Sequence, residues 1–280
     1  MATNPVSQFR PASPRELSFE GAREVRPAAP DAFPDGPFAR SSLLSAAEWQ
    51  TLRDIAGSLH NVDADVDLVT TGSTSTHMHI LAEGWAYRAR LTRMGGQSVS
   101  AIFLPGDIVN LNALFARESE DLVHTVTPSS IVSLPLARLR ELQKKMPGLA
   151  SAFLWLAMAD NTRMSEWIKR LARQSAQQRL AHLFCELAVR LGVTEEGGRT
   201  RITLPLSQIQ LSDITGITHI HTSRVLSALR EQDLIELRRK QLIIKNITEL
   251  RRIGEFDPAY LKGYECAGTK AANGDGNDAY

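Results

Sequence analysis

Cysteine is nearly missing from this chain: its 280 residues hold two, Cys185 and Cys266, 81 positions apart. So few thiols build no disulfide framework and cannot ligate an all-cysteine iron–sulfur cluster within one chain. No apolar run reaches the about 18 residues of a membrane span, and the N-terminus lacks a signal-peptide core. A soluble, cytoplasmic protein that engages no membrane is expected. Also missing are a phosphate-cradling glycine loop, a nucleophile elbow and a paired zinc-ligand motif, so neither an enzyme nor a cofactor is expected. Charge of one sign is not in excess, the formal net charge being +1. That total conceals an asymmetry, because residues 207–252 carry five acids and eight bases and residues 253–280 five acids and two bases. A bias this small identifies no polyanionic partner by itself. Affinity for one would rest on a few placed contacts and on the pairing of two chains.

What is present is core material, 43% hydrophobic residues over a length that suits two domains plus tails. Seven of the thirteen prolines fall in residues 1–40 without helical or alternating pattern, which reads as a mobile tail. Its four phenylalanines read as incidental, a docking segment being the lesser alternative. Ser45 opens a helix with Trp49, Leu52, Ile55 and Leu59 on one side. From Val66 to Leu136, short runs are separated by turn chemistry at Thr71-Gly72, Glu83-Gly84, Gly95-Gly96, Pro105-Gly106-Asp107 and Pro128-Ser129, the spacing of a compact barrel or jelly roll. His77 and His79 share one strand face and could offer two metal or haem ligands. Solvent-facing histidines are far commoner and nothing completes the ligand set, so no metal site is assigned.

Leu139 onward reads as helix, with a break at Pro147-Gly148 and a long helix to about Arg173. Along it Ala150, Leu154, Ala157, Asn161, Met164, Ile168 and Leu171 alternate steps of four and three. That is a heptad seam, and one Asn in its middle fits a parallel dimer with a fixed register better than a helix packed along its own barrel. Phe153, Trp155 and Trp167 lie off the seam and are expected to pack on the barrel. Another helix over Gln174 to Leu191 and a strand from Arg201 to Leu204 follow.

The most informative stretch comes next. Ser207 is a good N-cap for a short helix through Ile209, Leu211 and Ile214, Gly216 turns the chain, and Thr218 caps a second helix. Thr222, Val225, Leu226 and Leu229 form the buried stripe of that helix, while His219, Ile220, Ser223, Arg224, Ser227 and Arg230 face outward. The outward face is small or polar except at Ile220, which suits a helix entering the DNA major groove. After Asp233 the period shortens to two around Arg238-Arg239-Lys240-Gln241, a β-hairpin with a basic tip that would lie on the DNA backbone. The combination reads as a winged helix-turn-helix, and a short helix over Thr248 to Phe256 closes it.

With these parts in order, the chain resembles the Crp/Fnr family of bacterial transcription regulators over roughly residues 43–250. The resemblance is carried by Gly84-Trp85-Ala86-Tyr87, the hairpin glycines, Phe103-Leu104-Pro105-Gly106-Asp107, Arg179-Leu180-Ala181 and His221-Thr222-Ser223-Arg224. It implies an α+β chain: an N-terminal β-roll of the jelly-roll kind, a long dimerisation helix and a C-terminal winged helix-turn-helix. The expected boundaries are a tail at 1–40, a cyclic-nucleotide-binding-like sensor roll at 41–146, the dimer helix at 147–173, the DNA-binding domain at 174–260 and a disordered tail at 261–280. By the same resemblance His219, Ile220, Ser223 and Arg224 would read bases, with Thr218 and His221 on the backbone; Ser207 and the wing residues Arg238, Arg239 and Lys240 join the DNA-binding set. Ile220 departs from the acidic residue common in several members.

The effector does not carry over. Cyclic-nucleotide binders of the family use a Glu for the ribose and an Arg-Ser pair for the phosphate, where this chain has Leu111, Asp121 and Leu122. A carboxylate in the phosphate's place repels it by about 1–4 kcal/mol for unit charges about 4 Å apart in a wet or surface-like dielectric. The cysteines of the oxygen-sensing branch are absent from the N-terminal segment. The expected partners are therefore a second copy of the chain and a palindromic double-stranded DNA operator, with RNA polymerase a further candidate. Two rivals stand beside this reading: a regulator switched by a cyclic nucleotide or other small molecule in the roll, and a protein-docking module that does not bind DNA.

Overall fold

The structure, a computed structural model, describes residues 22–26, 33–34, 36–39, 43–57, 59–92, 96–193 and 198–262. Its N-terminal half runs β1 (Ala22–Arg26), α1 (Ala46–Ile55), β2 (Leu59–Val62), β3 (Asp67–Val69), β4 (His77–Glu83), β5 (Ala86–Leu91), β6 (Gln97–Phe103), β7 (Leu122–Thr125) and β8 (Ser129–Pro135). Then come α2 (Leu136–Lys145), the long α3 (Pro147–Arg173) and α4 (Ala176–Arg190). The C-terminal part holds β9 (Thr200–Thr203), α5 (Gln208–Thr215), α6 (His219–Glu231), β10 (Ile235–Arg238), β11 (Gln241–Ile244), α7 (Ile247–Ile253) and α8 (Ala259–Lys262).

Strands β1-β2-β8-β4 form one antiparallel sheet and β3-β7-β5-β6 another. Leu68, Val69, Ala86, Phe103 and Val123 of the second sheet share a core with Val62, Leu81 and Ile131 of the first, which makes the pair a roll. β8 is buried at nearly every position because its other face is covered too, by the cluster that joins Val132 and Leu134 to Leu52, Leu139, Leu149 and Phe153. Leu59, placed in the first helix by its spacing, instead opens β2: α1 stops at Ile55, and Gly57 N–H donates to Ser133 O at 2.8 Å. The β5–β6 hairpin pairs Ala86 with Phe103 and Leu91 with Gln97; Gly95, at its turn, lies outside the described residues.

The tail expected over residues 1–40 needs correction. Ala22–Arg26 pairs antiparallel with β2, and Phe38 is buried, stacked on Phe153 (centroids 5.9 Å) and edge-on to Trp49 (5.1 Å). Gly36 sits so close to Gly106 that a Cβ would collide with its backbone. A sheet edge thus seats Ala22–Arg26, and two aromatic partners seat Phe38, in a region whose proline content argues for disorder; a proline such as Pro37 also lowers the entropy lost on docking. Of the expected tails, residues 1–21, 27–32, 35, 40 and 263–280 lie outside the described residues, while Leu261 and Lys262, placed in the C-terminal tail by the sequence, end α8 with Leu261 buried.

Pro147 at the first position of α3 costs no hydrogen bond there, and this is why the chain breaks and restarts as helix. One side of α3 buries Leu149, Ala152, Phe153, Ala159, Trp167 and Arg170. All seven seam positions, from Ala150 to Leu171, are solvent-exposed in the single chain. Trp167, expected on the barrel, belongs to the buried cluster that includes Trp85 and Tyr87 of the roll, and its Nε1–H also donates to Ile214 O of α5 at 3.2 Å, joining the long helix to the C-terminal domain.

Buried charges complete that junction. Glu186 Oε2 of α4 lies 3.1 Å from Arg170 of α3 and accepts from the Tyr260 hydroxyl at 2.9 Å, while Arg190 donates to Asp107 Oδ2 and to Ile102 O in the roll, both at 2.8 Å. Burial alone would raise the Glu186 carboxyl, but Arg170 and Arg190 outweigh it and hold the group below the usual carboxylate range. Alongside, His182 Nδ1 donates to Gly254 O at 3.0 Å, and burial together with the Arg170 charge takes its pKa down to about 4. His79, read as solvent-facing, is 2% exposed; its Nδ1 lies 3.0 Å from Ser133 Oγ, and burial, helped by His77 and His60, lowers it to about 3. β4 is covered on both faces, so strand alternation does not tell outward from inward there.

Two outcomes follow. Phe38→Ala should lower the unfolding free energy by about 3–5 kcal/mol in urea denaturation, where a dispensable tail would give no change. His182 is neutral when folded and takes a proton near its ordinary pKa when unfolded, so the unfolded state gains protons as pH falls from about 6.5 to about 4, and stability drops through that window. His182→Gln should make the decline shallower, and an unchanged slope would contradict the assignment.

Candidate nucleic-acid interface and roll cavity

The C-terminal domain is built from capped, short elements. Ser207 and Gln210 form a reciprocal capping box at the start of α5 (2.8 and 3.2 Å), and Gly216 ends that helix in the left-handed region at φ 64°. Thr218 Oγ then accepts from His221 N–H at 3.3 Å to begin α6. Along α5, Leu211 and Ile214 are buried, whereas Ile209 is 62% exposed. Arg179 fastens this corner to the long helix, its guanidinium donating to Leu171 O (2.8 Å), Gln174 O (3.0 Å) and Thr215 O (3.0 Å), the unpaired carbonyls at the ends of α3 and α5.

On α6, Thr222, Val225, Leu226 and Leu229 are buried, so the opposite side is fixed outward. His219, Ile220, His221, Arg224 and Arg230 are exposed and Ser223 and Ser227 half-exposed. The structure therefore brings His219, Ile220, Ser223 and Arg224 onto one face, with Thr218 and His221 at the helix start. Next to it β10 and β11 pair from Ile235–Ile244 to Arg238–Gln241, and β9 adds a third strand. The two residues between the hairpin strands are Arg239 (φ 48°) and Lys240 (φ 63°), both left-handed, a type I′ geometry that favours Asn-Gly. Two basic side chains thus occupy a turn that strains them, and with Arg238 they make an exposed cationic tip.

A second feature lies between roll and long helix: a cavity of about 390 Å³, walled by Phe103, Ile108, Leu111, Phe153 and Leu156 and by the seam residues Ala150, Leu154 and Ala157. At its edge Arg88 of β5 donates through both terminal nitrogens to Asp160 Oδ2 of α3 at 3.1 Å, and Arg163 reaches Asp160 Oδ1 at 3.3 Å. Leu111 offers the cavity no hydrogen-bonding group. Asp121 is bound by Arg90, Nε to Oδ1 at 2.7 Å, and the same guanidinium holds Glu120 at 2.8 Å. Sequence reasoning missed the Arg88–Asp160 and Asp107–Arg190 pairs, whose partners lie 72 and 83 positions apart and leave no local pattern. Among the described residues no group of three or more His, Cys, Asp or Glu could hold a metal, and no helix is long and apolar enough to cross a membrane.

A roll joined by a long helix to a winged helix-turn-helix with an exposed second helix is the build of a DNA-binding regulator, and comparison with known proteins agrees. Residues 59–146 match the cyclic nucleotide-binding domain family and residues 178–253 the Crp-like helix-turn-helix domain family. Electron transport regulator A of Shewanella oneidensis is 23% identical over 207 residues, 74% of this chain and 82% of that protein. The nitrogen fixation regulation protein FixK of Azorhizobium caulinodans is 26% identical over 178 residues, 63% of this chain and 71% of that protein. The structure of FixK2 from Bradyrhizobium japonicum superposes with a TM-score of 0.64 at 18% identity, covering 70% of this chain and 96% of the other. The chain belongs to the Crp/Fnr family of bacterial transcription regulators and is a DNA-binding regulator of that type.

The wing generates a prediction of opposite signs. Changing Arg239→Asn with Lys240→Gly relieves the strained turn and should raise stability by about 1 kcal/mol or more. The same change should weaken DNA binding and reduce the salt dependence by about 2 in log–log slope per subunit. Denaturation and salt titration by fluorescence anisotropy read both; an unaltered slope would remove the wing from the interface.

Proposed function

We propose that the protein works as a homodimer whose α3 helices pair in parallel through Ala150, Leu154, Ala157, Asn161, Met164, Ile168 and Leu171. The two α6 helices then enter successive major grooves of a roughly palindromic operator, about one helical turn apart. One observation carries this reading: a complete heptad stripe on α3 is exposed while another side of the helix buries Leu149, Ala152, Phe153, Ala159, Trp167 and Arg170 within its own chain. An apolar stripe of that length gains by burial against a copy of itself, and Asn161 at its middle favours two strands in one register.

His219, Ile220, Ser223 and Arg224 would read base edges, Arg224 by a bidentate bond to guanine. Ser207, Thr218, His221, Arg238, Arg239 and Lys240 would hold phosphates. The protein acts by binding alone. Placement relative to a promoter decides between recruiting RNA polymerase and excluding it.

Control by cyclic AMP is not part of the proposal. The Leu111 side chain supplies no acceptor for a ribose, and Asp121 stands where the cyclic-nucleotide binders of the family carry a phosphate-binding residue, its carboxylate paired with Arg90. The cavity favours a second reading, in which a small, largely apolar molecule sets the arrangement of roll and helix. Its volume falls in the ordinary ligand range, and three seam residues form part of its wall, so an occupant would touch the dimer contact directly.

Site selection from random DNA with the purified full chain tests the main reading. The expected product is a two-fold symmetric sequence with half-site centres about 10 base pairs apart. Arg224→Ala should cost about 1–3 kcal/mol and relax one base position per half-site. Selection of no symmetric site, or an Arg224→Ala variant that binds as well as the parent, would overturn it. Micromolar cyclic AMP binding in titration calorimetry would remove the effector part.

A further inference from the structure

Ile220 is 66% exposed at the second position of α6. Of the eight other exposed large apolar side chains among the described residues, five (Leu154, Met158, Met164, Ile168 and Leu171) lie on α3 and the rest are Leu91, Phe115 and Ile209. On α6 Ile220 stands alone. Its exposure does not come from a turned helix, because Thr222, Val225, Leu226 and Leu229 anchor the opposite side. It shares the outward stripe with Ser223, Arg224 and Ser227 and lines an open groove with Thr218, His221, Arg224, Val225 and Ala228.

The chemistry of base edges selects what such a side chain can recognise. In the major groove guanine shows two acceptors, adenine an acceptor and a donor, and cytosine an amino donor; thymine alone adds a methyl group. An isoleucine can satisfy no donor or acceptor, so seating it against the first three leaves a polar group unpaired. Against thymine it buries methyl on methyl.

We propose that Ile220 reads the 5-methyl group of a thymine, one or two base pairs from the base bound by Arg224. The offset follows from the four positions that separate them, about 6 Å of helix rise against about 3.4 Å per base step. The proposal rests on α6 reading DNA and adds which base the operator must carry there.

The test starts from the selected operator, replacing each thymine in turn by uracil, which removes the methyl and nothing else. One thymine in each half-site should show a loss of about fourfold in affinity, the worth of one buried methyl. At that position 5-methylcytosine should bind better than cytosine. Ile220→Ala should bind the thymine and uracil operators equally, and Ile220→Glu should move the preference toward cytosine, whose amino group a carboxylate accepts. The side chain is exposed, so both variants keep the fold. No uracil penalty at any position, or a penalty that persists in Ile220→Ala while Arg224→Ala still weakens binding, overturns the proposal and leaves groove reading intact. If Arg224→Ala also binds normally, both fall together.

Discussion

Glu186, buried between Arg170 and Arg190, is the contact on which the arrangement of this molecule depends. Through Arg170 it holds the long helix, through Tyr260 the C-terminal helix, and through Arg190 it is linked to Asp107 at the Pro-Gly-Asp corner of the roll. Two positive and two negative groups balance there. A buried charge that lost its partner would cost about 3–5 kcal/mol, so the elements that carry these four groups hold one another in place. The pairs need not stabilise the fold more than a well-packed apolar junction would; what they impose is geometry, because ions must be matched at hydrogen-bond distance while apolar surfaces can slide.

That geometry makes α3 the channel between the two halves. Near its C-terminal end Trp167 bonds Ile214 O, and Leu171 O accepts from the same Arg179 that holds Thr215 O. Along its middle, Asp160 is held by Arg88 of the roll at the mouth of the cavity. A rotation or shift of the helix therefore alters the roll contact, the exposed seam and the seat of α5 at once. An event at the roll that prefers one setting of α3 shifts the population of that setting by its differential energy, whatever its chemistry, and in the proposed dimer that shift would reach the DNA-binding helices.

The legible parts of the chain are those governed by short-range rules. Ser45, Ser207 and Thr218 cap helices as their side chains require, Gly216 takes the left-handed conformation, and the steps of four and three along α3 reappear as one exposed stripe. The outward face of α6 was readable because a 3.6-residue period separates it from Thr222, Val225, Leu226 and Leu229. Where a residue's environment is set by distant chain, the same rules gave wrong or silent readings. His79 looked solvent-facing because alternation says nothing about a strand covered on both faces. Phe38 looked incidental because its partners, Trp49 and Phe153, come from two other elements.

Helix periods, caps and turn chemistry are properties of about four to seven consecutive residues, so the succession of roll, long helix and winged helix-turn-helix, the outward face of α6 and the exposed stripe of α3 were determined by the sequence on its own. The ordering of the proline-rich segment against Phe153, the cavity shared by roll and seam, and the pairing of Arg190 with Asp107 were decided only by the tertiary structure. Each of these joins residues dozens to more than a hundred positions apart, and whether such groups meet depends on how every intervening element packs, which no local pattern encodes.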